Sequence, residues 1–126
     1  DSNEGKIMGY KENERLLERI IRFCEDIIDL CKKLPQNIIN RQLISQLIAC
    51  TSSIGANYSE ACEAESAKDF IHKIKIVLKE IKESIFFLKL IQKNNPSFTI
   101  DLTNHQKEAD ELLRIFSSIT SKFRTG

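Results

Sequence analysis

Thr51–Phe70, TSSIGANYSEACEAESAKDF, is the stretch whose reading decides the fold. As far as Cys62 it keeps a helical rhythm, with Ser53, Asn57 and Glu60 at inward positions among Ile54, Ala56 and Ala61. Ser66 then stands where an N-cap belongs, with Asp69 three residues on, the capping-box start of a new helix. Only residues 63–66 separate the two helices, and so short a link makes them antiparallel neighbours. The polar ladder of Ser53, Asn57 and Glu60, opposite Glu83 and Ser84 on the next helix, is expected to set register and oligomeric state, because a seam amide demands a hydrogen-bonding partner.

Upstream of the ladder, the helix reads back to Asn37, a second N-cap, so it covers about residues 37–62. Its seam is Leu43, Leu47, Cys50, Ile54, Asn57 and Ala61, and between Gln36 and Ser59 its one charge is Arg41. A helix so free of charge is expected to be covered on more than one side, which four helices of one chain do not supply; it therefore predicts a subunit interface. Downstream, residues 67–94 carry the seam Phe70, Ile74, Val77, Ile81, Ser84, Leu88 and Ile91.

The flanks complete the pattern. Over residues 11–34, Leu17, Ile20, Cys24, Ile27, Cys31 and Leu34 recur every three or four residues until Pro35 ends the run. After the breaker Asn94-Asn95-Pro96-Ser97, with Asp101 or Thr103 as cap, residues 102–124 repeat Ala109, Leu112, Phe116, Ile119 and Phe123. No strand period occurs, so the fold class is all-α, an antiparallel up-down-up-down four-helix bundle. One domain is expected over residues 11–126, and residues 1–10 are set aside as an N-terminal tail.

Nineteen Lys and Arg against 18 Asp and Glu leave a net charge of +1, so no global field draws the chain to nucleic acid or membrane. Any such contact needs a local patch. Cys24, Cys31, Cys50 and Cys62 show no CxxC or finger spacing and read as buried, reduced thiols. Neither a signal peptide nor a long apolar span is present, and the expectation is a soluble cytoplasmic protein with no membrane partner.

Enzymatic chemistry finds little footing. Asp69-x-x-His72 and His105-x-x-Glu108 imitate the spacing of di-metal bundle sites, but the second pair is reversed and His72 lies off the seam. No glycine-framed nucleophile or phosphate loop occurs. No catalytic, metal or cofactor site is therefore expected. The third helix is different: Lys68, Lys75, Lys79, Lys82 and Lys89 fall along one outer stripe, a candidate for phosphate contact, with solvation and pairing to Glu80 and Glu83 as the plain alternative.

Ser53-Ile54-x-Ala56-Asn57-x-x-Glu60-Ala61, Ser66-x-x-Asp69-Phe70 and Lys79-Glu80-x-x-Glu83-Ser84 together resemble the bacterial four-helix-bundle family named after proteins encoded in intervening sequences of 23S ribosomal RNA genes, also labelled a ribosomal protein family. Where one branch of that family has Tyr-Trp, this chain has Phe86-Phe87. The resemblance implies a homopentameric ring. It also implies kinship with the accessory protein of diversity-generating retroelements, a basic bundle that binds nucleic acid and a reverse transcriptase.

The expectation that results is a non-enzymatic oligomer, a pentamer, acting as an RNA- or nucleoprotein-associated scaffold. The alternative is a protein–protein interaction module without nucleic-acid binding, docking through Phe86 or Phe87 and Tyr58.

Overall fold

The computed structural model describes residues 9–124. Of the tail expected over residues 1–10, residues 1–8 lie outside the described residues, as do residues 125 and 126 of the expected domain. Four helices carry the described chain: α1 (Tyr10–Lys33), α2 (Ile38–Cys62), α3 (Ala67–Asn94) and α4 (Thr99–Arg124). The caps lie where the sequence puts them, Asn37 Oδ1 accepting from Asn40 N–H at 2.8 Å and Ser66 Oγ from Asp69 N–H at 3.1 Å. Helix α4 starts earlier than expected. Pro96–Phe98 winds a 3-10 turn that runs straight into Thr99, so the expected caps Asp101 and Thr103 already lie inside the helix. Proline favours this turn, because its φ is preset and the N–H it lacks would have no helical partner there.

Contacts between successive helices run in opposite order along the chain. Tyr58 and Thr51 of α2 meet Asn13 and Cys24 of α1, and Lys73 and Ser84 of α3 meet Glu60 and Cys50 of α2. Phe70 and Gln92 of α3 meet Phe123 and Gln106 of α4. These are the pairings of antiparallel neighbours. The α2–α3 interface is the most extensive and the α1–α4 interface the least among the four helix pairs.

One core fills the interior. Ile20, Phe23 and Ile27 of α1, Leu47 and Ile54 of α2, Ile74, Val77, Ile81 and Leu88 of α3, and Leu102, Ala109, Leu112 and Phe116 of α4 are all within 2% of complete burial. Burying each large aliphatic or aromatic side chain contributes about 1.5–3 kcal/mol, so this seam carries the fold. Tyr58 lies edge-on to Phe116, ring centroids 5.4 Å apart, and its hydroxyl donates to Asn13 Oδ1 at 2.9 Å. Gly55 lets α1 close on α2, since a Cβ there would stand 3.3 Å from Ile20 Cγ2.

Two asparagines form a reciprocal buried polar contact between α2 and the end of α3. Asn40 Nδ2 donates to Asn95 Oδ1 at 2.8 Å, and Asn95 Nδ2 returns a bond to Asn40 Oδ1 at 2.9 Å. The same amides reach the backbone, Asn40 to Pro35 O and Asn95 to Ile91 O, so the start of α2 is fastened to the end of α3.

All four cysteines are free. Cys31 and Cys50 are buried and Cys24 half-buried, but Cys62 is exposed rather than buried. As the last residue of α2, it sits where the helix leaves the bundle.

Candidate nucleic-acid interface

The outer surface of α3 follows from its heptad spacing. Lys68, Lys75, Lys82 and Lys89 stand seven residues apart, which drifts only about 20° per step around an α-helix, so they form a line. Lys79 sits one turn beyond Lys75 beside that line, and all five lysines are exposed. Among the described residues none of the five forms an ion pair: the cross-helix pairs are Arg19 with Glu108 and Lys73 with Glu60. The pairing to Glu80 and Glu83 weighed from sequence is therefore not made. Glu80 is half-buried, and its carboxyl is pushed above the usual carboxylate range first by burial and then by Glu83, with Lys79 opposing.

Three of the five lysines converge. Lys75, Lys79 and Lys82, with Leu78, Glu83, Phe86 and Phe87, line an open groove of about 730 Å³ that Gln46 of α2 and Thr120 of α4 border. Lys68 and Lys89 extend the line outside the groove. Phe86 is 59% exposed, and its ring meets half-buried Phe87 edge-to-face with centroids 5.2 Å apart. The aromatic is thus propped on the core and presented to solvent in the middle of the cationic stripe. Sequence reading placed Phe86 with a protein partner and left it out of the phosphate-contacting set; the signal was its spacing, four residues after Lys82 and three before Lys89.

The polar ladder is arranged differently from the expectation. Ser53 and Asn57 are half-buried and Glu60 exposed, so none lies inside the seam. Ser53 Oγ donates to Ala49 O and Asn57 Nδ2 to Ser53 O, each within α2. Glu60 meets Lys73 of α3 at 3.2 Å, and Glu83 faces the groove. Only Ser84 is buried, donating to Glu80 O and approaching Cys50 Sγ at 3.2 Å. The heptad that carries Ile54 inward turns Ser53 and Asn57 toward the flank of the helix, where their own backbone satisfies them.

Tyr58 cannot dock a partner, being wholly buried, and its phenol is pushed well above its ordinary range chiefly by that burial. His72 is exposed and His105 half-buried, the latter pushed below its ordinary value by desolvation against the opposing pull of Asp26 and Asp101. No group of three or more His, Cys, Asp and Glu placed to hold a metal occurs among the described residues, and no helix there is long and apolar enough to cross a membrane.

A second surface is defined by α2. Gln42, Ser45, Ala49, Ser52, Ala56 and Ser59 are exposed at successive three- and four-residue steps and carry no charge. Beside them α1 exposes Ile21 and Ile28, on the flank where Cys24 Sγ reaches Thr51 O at 3.3 Å.

Comparison with known proteins agrees with the bundle. No curated protein matches the chain. A crystal structure of a protein of unknown function from the S23 ribosomal protein family of Bacteroides thetaiotaomicron superposes with a TM-score of 0.72 at 28% identity, covering 82% of this chain and 96% of that one. The family model for the 23S rRNA-intervening sequence protein matches residues 12–118, and the chain belongs to that family.

Proposed function

We propose that the protein is a non-enzymatic oligomer that associates with RNA or a nucleoprotein, its copies packing through α2 and its α3 lysines contacting phosphate. The observation that carries the reading is the convergence of Lys75, Lys79 and Lys82 on one groove with no carboxylate paired to them. Unpaired ammonium groups along a line are free to displace counterions from a phosphate backbone, a gain that salt erodes. A net charge of +1 gives no general attraction, so binding depends on that line.

Self-association is supported by the uncharged exposed face of α2 and the neighbouring Ile21 and Ile28. A ring of five copies, as the family resemblance implies, would repeat the lysine line around one particle and sum its field. Ser53 and Asn57, half-buried on the edge of that face, are the residues that in this reading would set register between copies, exchanging their bonds within α2 for bonds across the interface.

The test is a titration of a labelled structured RNA at rising salt, with mass followed by light scattering. A stable oligomer whose log affinity falls linearly with log salt supports the proposal. Replacing Lys75, Lys79 and Lys82 together by Glu should remove most of the affinity and flatten the slope by about 2. Affinity indifferent to both salt and these charges would reject phosphate contact.

A further inference from the structure

The geometry points to Phe86 as a stacking platform for an unpaired base, which makes the α3 groove a site for single-stranded rather than duplex nucleic acid. This rests on the phosphate-contact reading above and narrows its ligand. Phe86 is 59% exposed, an unusual position for a large aromatic ring, on a helix face where Lys75, Lys79 and Lys82 outnumber the one carboxylate, Glu83. Phe87 holds it edge-to-face at 5.2 Å, so its orientation is restrained before any ligand arrives. Lys82 lies one turn before the ring and Lys89 just under one turn after it, about 6 Å and 4.5 Å along the helix axis. A base laid on Phe86 would therefore have ammonium groups for the phosphates on both of its sides.

Duplex and single strand separate at this point. Lysines alone serve either, because both present phosphates. The π-face of a paired base is already covered by its neighbours in the stack, whereas an unpaired base can turn onto an aromatic side chain. The groove offers lysines rather than arginines, and its one side-chain amide is Gln46 at the α2 border, so it has charge and a ring but few groups to read base edges. Binding should accordingly tolerate sequence changes. An acidic peptide would use the same charges, but it has no flat group for the exposed ring.

The experiment measures anisotropy of a labelled single-stranded oligonucleotide and of the same strand annealed to its complement, with the full chain. The expected result is tighter binding of the single strand, and a Phe86→Ala variant that loses roughly tenfold on it while leaving duplex affinity and salt slope unchanged. Phe86→Trp should retain single-strand binding, and a 2-aminopurine in the strand should be quenched by the original chain and not by Phe86→Ala. Far-ultraviolet circular dichroism checks that the exposed substitution leaves the helices intact. If lysine reversal abolishes binding while Phe86→Ala changes neither form, stacking is overturned and phosphate contact stands. If neither form binds, both readings fall. Poly-glutamate bound with the same dependence on Phe86 would overturn the nucleic-acid ligand in favour of an acidic peptide.

Discussion

Asn40 and Asn95 exchange two hydrogen bonds, 2.8 and 2.9 Å long, across 55 residues of sequence. Each amide also reaches a backbone carbonyl, so the pair is a closed polar cell inside the bundle. Its worth lies in what happens when half of it is removed. Asn40→Ala leaves the Asn95 amide buried with its partner gone, a cost of about 1–3 kcal/mol. Replacing both by Leu should cost less than the sum of the single changes, and urea denaturation of the two single variants and the double one gives the coupling directly.

Cys31 predicts a loss of stability in alkali. Burial holds its thiol near pKa 11 against 9 for an unhindered one, so the folded state favours the protonated form. That advantage is complete below about pH 9 and disappears as pH rises through 11, a change on the order of 2–3 kcal/mol. Cys24 and Cys50 are shifted the same way by burial. Melting temperature should fall above pH 9, and Cys31→Ala, less stable at neutral pH, should lose less over that interval. At pH 8 a thiol reagent should modify exposed Cys62 first and Cys31 only on unfolding.

Gly55 predicts a steric limit between α1 and α2. A methyl group there meets Ile20 Cγ2 at 3.3 Å, while helix propensity favours alanine by about 1 kcal/mol. The two effects oppose, so Gly55→Ala should be nearly neutral. Gly55→Val adds bulk that the fully buried Ile20 cannot yield to, and should lose about 1–3 kcal/mol in a denaturant melt.

The outer face of α2 predicts a separation of assembly from folding. Ala49→Glu with Ala56→Glu places charge on exposed positions, leaving the helix and its core seam unaltered. Light scattering should report a smaller particle with helicity unchanged. Asn57→Leu should also alter the oligomer without unfolding the chain, and an unchanged mass in both variants would remove α2 from the interface.

The helices were legible because each buries a stripe repeating every three or four residues, and Ile54, Ile74, Ile81 and Phe116 all lie where that period puts them. Caps at Asn37 and Ser66 were equally readable, since a side chain bonding three residues on is a local event. The start of α4 was misplaced because a 3-10 turn continued by an α-helix needs no side-chain cap. The Asn40–Asn95 pair left no local signal: each residue alone resembles a turn asparagine, and only the fold brings them together. In the candidate site, spacing alone found the lysines. The groove depends on Gln46 and Thr120 from neighbouring helices, and the exposure of Phe86 against the half-burial of Phe87 was fixed by the rotation of α3, which adjacent identical residues do not reveal.

The uneven packing of α1 has a consequence for motion. It meets α2 over a smaller interface than α3 makes with either of its neighbours, and α4 over the least extensive interface of the bundle, where the surface pair of Arg19 and Glu108 is a polar clamp. Exposed ion pairs of this kind contribute about 1 kcal/mol or less. Amide protons of α1 should therefore exchange with solvent deuterium sooner than those of α3, by excursions in which the first helix swings away while the other three stay closed.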